Sequence, residues 1–378
     1  MPIQKNCSFP WLIAVLYAGL FSCQSPDNSG NKHSDSTSIA ISTSASATAI
    51  KPSGPQPEWA PDIKPEMLAV MEKLASYNAA PIETLRAEQA RKNPTPTTAV
   101  MALIKEHNIA VPVSRVDTAG IEIPVKGGTV HARTYTPQTG ESAYPVIVYY
   151  HGGGFVIANL DTYDASAKGL AEQVGAVVVS VEYRKGPEHK FPTAHEDAFA
   201  AYQWVLKNAR SIKGDAKRIA VAGESAGGNL AANVSIMARN KQIQMPLHEL
   251  LVYPIASNDM NSASYIKNAQ AKPLNKAMMA WFVKNYLPSS AAASDPRISL
   301  VKANLKGLPP TTIITDEIDP LQTEGILLKD KMKAAGVDVS YKNYDGVTHE
   351  FFGMGAVVPE AKDAQAYASD NLKKALKK

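Results

Sequence analysis

The stretch Arg218-Ile219-Ala220-Val221-Ala222-Gly223-Glu224-Ser225-Ala226-Gly227-Gly228-Asn229-Leu230 decides how the rest of the chain is read. Arg218 to Ala222 has the composition of a buried strand, and helix formers run from Asn229 to Ala238. Between them Gly223, Ser225 and Gly227 stand in the spacing G-x-S-x-G. A strand turning sharply into a helix here thrusts the serine out at the sheet's edge, and a glycine on each side leaves room for the strained backbone. The helix behind the serine brings its positive dipole end to where negative charge would develop. Five-residue patterns also arise by chance, as Gly-rich turns holding a capping serine. The strand before and the helix after set this one apart.

Outward from the elbow, strands and helices alternate from Gly120 onward, which predicts a mostly parallel sheet with helices on both sides. Ile121–Val125 and Val130–Tyr135 flank the turn Lys126-Gly127-Gly128. Further strands are predicted at Pro145–Tyr150, Ala176–Val181, Arg218–Ala222, Leu250–Ile255, Thr311–Thr315 and Val337–Tyr344, for a total of eight. Upstream, Met67, Leu68, Met71 and Leu74 recur at three- and four-residue steps and mark an amphipathic helix. A second helix is expected over Ala99–Glu106, after a Pro-rich break at Asn93–Pro96. No repeat of solenoid length is present.

The strand ending at Tyr150 runs into His151-Gly152-Gly153-Gly154-Phe155. Three glycines after a buried strand let main-chain N–H groups approach a substrate oxygen. The N–H groups of Gly153, Gly154 and Ala226 are the expected oxyanion hole. A phosphate-cradling loop would need a Gly-Lys-Ser/Thr ending, and no G-x-G-x-x-G occurs here. A serine nucleophile needs a base, and the chain has eight histidines. His33 lies in a polar tether and His107 in the helical addition. His131 and His248 sit in or beside strands away from the catalytic edge, and His189 and His195 belong to a Pro-rich corner. His151 is expected to orient its own loop. Only His349 follows the last strand, where an imidazole reaches an elbow serine, and the order Ser, acid, His suits this architecture. The acid belongs after the penultimate strand, where Asp316, Glu317 and Asp319 are equal candidates by position.

Together these blocks resemble the hormone-sensitive-lipase family of esterases, the α/β-hydrolase fold-3 group. The likeness covers Met101 to His349: HGGGF at 151–155, VEYRKGPEHKFPTAHEDA at 181–198, GESAGG at 223–228, DPR at 295–297, GLPPTTIITDEIDPL at 307–321 and GVTHEFF at 346–352. The resemblance implies an α/β-hydrolase fold with an eight-stranded mostly parallel sheet and a helical cap. It places the triad acid at the Asp of D-P-L, which is Asp319, beside Ser225 and His349. It implies a cap from residues 57–115 and 257–304, the latter carrying Met278-Met279-Ala280-Trp281-Phe282. It also implies hydrolysis of short- to medium-chain carboxylic esters without metal or organic cofactor. Arg184, Glu188 and Asp197 match the family and read as structural pairs. Glu224 stands where Asp is commoner, and Glu350 where the family has Gly. An amidase or deacetylase would use the same triad, and some relatives bind ligands after losing their His, which is retained here as His349.

Composition narrows the setting. Of 378 residues, 45% are hydrophobic and 20% charged, enough apolar material for a substantial core. The net charge of +4 is spread along the chain, without the concentrated basic stripe of a nucleic-acid protein. The Lys-rich end (Lys373, Lys374, Lys377, Lys378) suits a helix C-terminus. Cys7 and Cys23 are the only cysteines, so the body of the chain has neither a disulfide framework nor a Cys-based metal site. Trp11–Phe21 is an apolar run behind Lys5, too short to span a bilayer and of the length of a secretory signal core. Leu20-Phe21-Ser22-Cys23 looks like a bacterial lipoprotein signal. Residues 1–22 are thus expected to be a signal peptide, Cys23 a lipidated anchor, and 23–56 a disordered Ser/Thr-rich tether. The hydrolase domain would be 57–378, exported and held at the cell envelope, or periplasmic or secreted if Cys23 is not lipidated.

Overall fold

Val116–Val125 (β1), Gly128–Pro137 (β2), Tyr144–Tyr150 (β3), Val177–Val181 (β4), Gly214–Glu224 (β5), Glu249–Val252 (β6), Thr311–Ile318 (β7) and Val339–Thr348 (β8) form one sheet in the order β1-β2-β4-β3-β5-β6-β7-β8. These positions come from a computed structural model that describes residues 50–377. β1 and β2, and β2 and β4, pair antiparallel; from β4 across to β8 every pairing is parallel. This is the expected eight-stranded, mostly parallel α/β-hydrolase sheet.

The helices are Pro65–Ala75 (α1), Ala87–Ala90 (α2), Pro96–Glu106 (α3), Asp164–Val174 (α4), Thr193–Asn208 (α5), Ala226–Asn240 (α6), Ala263–Lys267 (α7), Lys276–Tyr286 (α8), Gln322–Ala334 (α9) and Pro359–Leu376 (α10). They divide between the two faces of the sheet. β3 is buried along its whole length because both of its faces are covered. Val146, Val148 and Tyr150 join a cluster with α5, α6, α8 and α9, while Ile147 and Tyr149 join another with α1, α3, α4 and α10. The alternation follows from successive strand side chains pointing to opposite faces. α3 begins earlier than its apolar pattern suggests. Thr95 caps it by accepting from the Thr98 N–H, and Pro96, expected to belong to the break, opens its first turn.

The two segments expected to form a cap differ in what they contact. Within 57–115, α1 and α3 bury their apolar faces in the cluster with α10. Ile82, Leu85, Ala87 and Ala90 pack instead with the cluster that holds α8, and the Trp281 indole N–H donates to the Leu85 carbonyl at 3.0 Å. Within 257–304, α8 is capped by Asn275, whose side chain accepts from the Met278 N–H at 2.8 Å.

The expected signal segment, Cys23 and the tether up to residue 49 lie outside the described residues. The end of the expected tether is packed and corrects its boundary. Ile50 is buried, the Ser53 and Gly54 N–H groups donate to the Glu72 carboxylate at 2.6 and 2.7 Å, and Gln56 donates to the Ile63 carbonyl. One buried apolar side chain and a carboxylate accepting two amides pin a stretch whose composition alone reads as unable to fold. Among the described residues no helix is long and apolar enough to cross a membrane.

Candidate active site

β5 hands over to α6 at Ser225, whose φ of 55° and ψ of −117° are unusual for a residue with a side chain. The turn closes only because its neighbours lack one. A Cβ on Gly223 would lie 2.1 Å from the Gly227 carbonyl oxygen, and a Cβ on Gly227 would lie 1.9 Å from that of Tyr150. The Ser225 N–H donates to the Val252 carbonyl of β6 at 2.9 Å, and the Ser225 carbonyl accepts from Asn229 and Ile255. Main chain on both sides therefore holds the strained residue in place.

Asp319 and His349 come from the ends of the last two strands, β7 and β8, beyond β6. Asp319 follows β7 and is fully buried; its carboxylate accepts from the Leu321 N–H at 2.9 Å and from His349 Nδ1 at 2.7 Å. That bond fixes the proton on Nδ1 and leaves Nε2 as the basic nitrogen. His349 follows β8, with the Tyr253 ring 4.5 Å from its own. Burial opposes protonation of the imidazole, but the Asp319 carboxylate, with Glu350 and Glu224 further off, outweighs it and holds His349 above its ordinary value. Ser225 Oγ has no hydrogen-bond partner among the described residues; such catalytic bonds often tighten only when substrate seats.

The three acids left open by position now separate. Glu317 turns away to Lys267 at 3.0 Å and accepts from the Gly346 N–H. Asp319 alone of the three bonds to the imidazole. Asp316 is fully buried, and neither carboxyl oxygen has a partner among the described residues. Side-chain atoms of Asp316, Asp319 and His349 nevertheless lie within 4.8 Å of one another.

The His151–Phe155 loop rests against the elbow. His151 Nδ1 bonds the Gly152 carbonyl at 2.8 Å, the ring stacks on Tyr183, and the Tyr183 hydroxyl donates to the His151 carbonyl. Burial pushes the His151 pKa down to about 4, so the ring is neutral and orients the loop. The N–H groups of Gly153, Gly154 and Ala226 enter none of the turn and loop backbone hydrogen bonds, which leaves them available to an oxyanion. Gly154 also meets the cap, since a Cβ there would lie 2.3 Å from the Phe282 ring of α8. Between loop and α8 lies a cleft of about 90 Å³ whose apolar lining includes Phe155, Ile255, Met260, Tyr265, Met279, Val283 and Leu287. A larger hollow of about 530 Å³ lies at Tyr144 and Lys213, where β3 and β5 begin. Ligands in such sheets bind at the carboxyl ends of the strands, so the smaller, apolar cleft is the one that matters.

Other sequence-derived roles fall as follows. Arg184 and Asp197 form a two-pronged pair, whereas Glu188 pairs with Arg91 of the N-terminal addition. His195 bridges Tyr286 and Asn229 inside the core. A cluster behind the triad was not foreseen. The Glu224 carboxylate accepts from the Tyr149 and Tyr253 hydroxyls, and the Glu350 carboxylate from Tyr163. Burial pushes Glu224 up to about 7 against those hydrogen bonds. Glu224 and Glu350 are the two departures from the family pattern, and that was the available signal.

A strained serine above a mostly parallel sheet, answered by an imidazole and a carboxylate from its far strands, is the arrangement of α/β hydrolases as a class. The family model described as "alpha/beta hydrolase fold" matches residues 147–353, and the chain belongs to that family, in the hormone-sensitive-lipase-like group its motifs resemble. It is 38% identical over 251 residues to carboxylesterase NlhH of Mycobacterium tuberculosis, covering 65% of this chain and 79% of that one. Among solved structures it is similar to an esterase of Pyrobaculum calidifontis (37% identity, TM-score 0.71, 80% of this chain and 96% of that one). It is also similar to a thermostable esterase of Pseudomonas putida (32% identity, TM-score 0.77, 84% of this chain and 98% of that one).

Proposed function

We propose that this chain hydrolyses carboxylic esters with Ser225 as nucleophile, His349 as general base and acid, and Asp319 as the carboxylate that orients and stabilises His349. The reaction class is carboxylic-ester hydrolysis, in keeping with the relatives named esterase and carboxylesterase. The observation that carries the residue roles is the 2.7 Å bond from His349 Nδ1 to Asp319, beside a serine held at a strained elbow.

His349 Nε2 takes the Ser225 proton as Oγ attacks the ester carbonyl. The resulting oxyanion is received by the N–H groups of Gly153, Gly154 and Ala226. His349 returns the proton to the departing alkoxide, leaving the acyl group on Oγ. Water then enters and gives one proton to Nε2 as its oxygen attacks the acyl carbon; the C–Oγ bond breaks, the carboxylic acid leaves, and Nε2 returns the proton to Ser225 Oγ. None of these steps calls for a metal or organic cofactor. The cleft is apolar and small, about 90 Å³, and on that ground we take short- to medium-chain acyl esters as the substrate class.

Hydrolysis rates on p-nitrophenyl esters of increasing acyl length, set against the matching anilides, test this reading. Esters should turn over with a maximum at short or medium chains. Faster cleavage of the anilides would favour an amidase with the same triad, and no turnover of either would favour a ligand-binding protein. We further propose export and anchoring through an acylated Cys23, on the strength of the apolar run that precedes it. Labelling with a fatty-acid probe should mark the parent and not Cys23→Ala; an unlabelled, soluble parent would leave only a conventional export signal.

A further inference from the structure

Asp316 is a buried carboxyl that the mechanism above does not use. It lies in β7 where the pairing with β8 slips between Asp316–Tyr344 and Ile318–Thr348. The residue is fully buried, neither carboxyl oxygen has a partner among the described residues, and its side chain lies within 4.8 Å of both Asp319 and His349. An ionised carboxylate without donors is costly to bury, and two adjacent buried carboxylates cannot both ionise. A neutral carboxyl has the opposite need: one O–H that must find an acceptor. Asp319 is within reach to be that acceptor. It already takes hydrogen bonds from Leu321 and His349, and its oxygens have lone pairs to spare.

We propose that Asp316 is a positioning residue of the active site: a neutral carboxylic acid whose O–H donates to Asp319 and steadies that carboxylate against His349. The proton stays on Asp316 throughout turnover. The hydrogen bond disperses charge on Asp319, which keeps the His349 imidazolium from becoming too stable to release its proton.

The surroundings favour the neutral form. Burial first, and then the charge of Asp319, push Asp316 well above the usual carboxyl range. From β8 the facing titratable group is Tyr341, with Lys329 of α9 beyond it, 5.0 Å from the ring centre and paired to Asp330. Around Asp319 stand Glu324 of α9 and Tyr265 of α7. Glu350, Glu224 and Tyr253 face His349 from the other side. Apart from Lys329, these neighbours are acids and phenols.

The inference rests on the triad reading above, and its test compares Asp316→Ala with Asp316→Asn. Asp316→Ala removes the donor, so kcat should fall about tenfold with KM little changed. The acid limb of the kcat/KM profile should then move to higher pH, because an unrelieved Asp319 makes His349 harder to deprotonate. Asp316→Asn supplies an amide donor and no charge, so it should recover most of the kcat lost in Asp316→Ala and return the acid limb to the parent position. The infrared carbonyl band of a buried neutral carboxyl should be present in the parent and missing from Asp316→Asn. An acid limb that moves to lower pH in Asp316→Asn would mean that a negative charge had been removed, and would overturn the proposal. So would an Asp316→Ala profile identical to the parent's. Ser225→Ala, run in parallel, keeps the two readings apart: if that variant stays fully active the triad itself is wrong, whereas an inert Ser225→Ala beside an unaltered Asp316→Ala removes the role of Asp316 alone.

Discussion

The elbow and the cap meet at Gly154, yet they are held by opposite means. At the elbow main chain presses on main chain: a methyl on Gly223 or Gly227 would meet a carbonyl oxygen at about 2 Å. In the cap, side chain presses on side chain. Phe282 and Met279 of α8 lie against the loop, and the segment 82–91 is tied to α8 through the Trp281 indole. Backbone contacts admit no alternative residue, so they suit a nucleophile whose position must not drift. Side-chain contacts can be repacked, so they suit a wall whose size sets which acyl group fits. We propose from this contrast that the first region carries the chemistry and the second the selectivity.

The sharpest way to break that division is Ser225→Ala. It should lower kcat by on the order of 10⁵ while leaving the thermal midpoint near the parent's, since the substitution removes only an oxygen. Turnover within about tenfold of the parent would dissolve the assignment of chemistry to the elbow. Asp319→Asn comes next. An amide cannot accept the Nδ1 proton in the same way, so the loss should be on the order of 10⁴. Glu317→Gln should be mild, because that carboxylate faces Lys267. Parity between these two variants would return the acid to the ambiguity it has in the sequence.

That ambiguity shows where sequence reading stops. The eight strands were legible because apolar runs and turn residues record them locally, though their ends were not: β5 starts at Gly214, well before Arg218, and β6 stops at Val252, short of Ile255. The elbow and His349 were legible because strand order constrains which loops converge. Asp319 was not separable from Asp316 and Glu317 by position, and only the family resemblance chose it. The contacts that separate them join residues far apart in the chain, as Glu317 does with Lys267. The Tyr149–Glu224 and Tyr163–Glu350 bonds span 75 and 187 residues, and no local pattern encodes such pairs. The segment 82–91 was missed for a different reason: a four-residue helix is too short to show a period.

Two substitutions sharpen the contrast in matched form. Gly227→Ala drives a methyl into the Tyr150 carbonyl and should cost about 3 kcal/mol of stability, read from the denaturant midpoint, with activity falling for every ester alike. Phe282→Ala opens the cleft instead. It should raise kcat/KM for longer acyl esters relative to short ones by about tenfold, the scale of one or two methylenes in an apolar pocket. An unchanged chain-length profile would mean that α8 does not bound the acyl group.

The smallest expected effect tests how the cap is fastened. Trp281→Phe keeps an aromatic ring in α8 and deletes the N–H that donates to the Leu85 carbonyl at 3.0 Å. Losing one such bond should weaken the attachment of 82–91 by about 1 kcal/mol, or about fivefold in its opening equilibrium. Amide hydrogen exchange should report that change in 82–91 and leave β3 and β5 as they are, because the sheet does not depend on this bond. The same segment has a second fastening at Arg91, which donates to the Val156 and Gly186 carbonyls at 2.8 and 2.7 Å and pairs with Glu188. The first of those bonds reaches the loop beside Gly153 and Gly154, and the other two reach the 186–188 turn. Unaltered exchange in Trp281→Phe would therefore assign the fastening of 82–91 to Arg91. The cap would then be hinged on the chemical region itself, and the separation of selectivity from chemistry would hold for α8 alone.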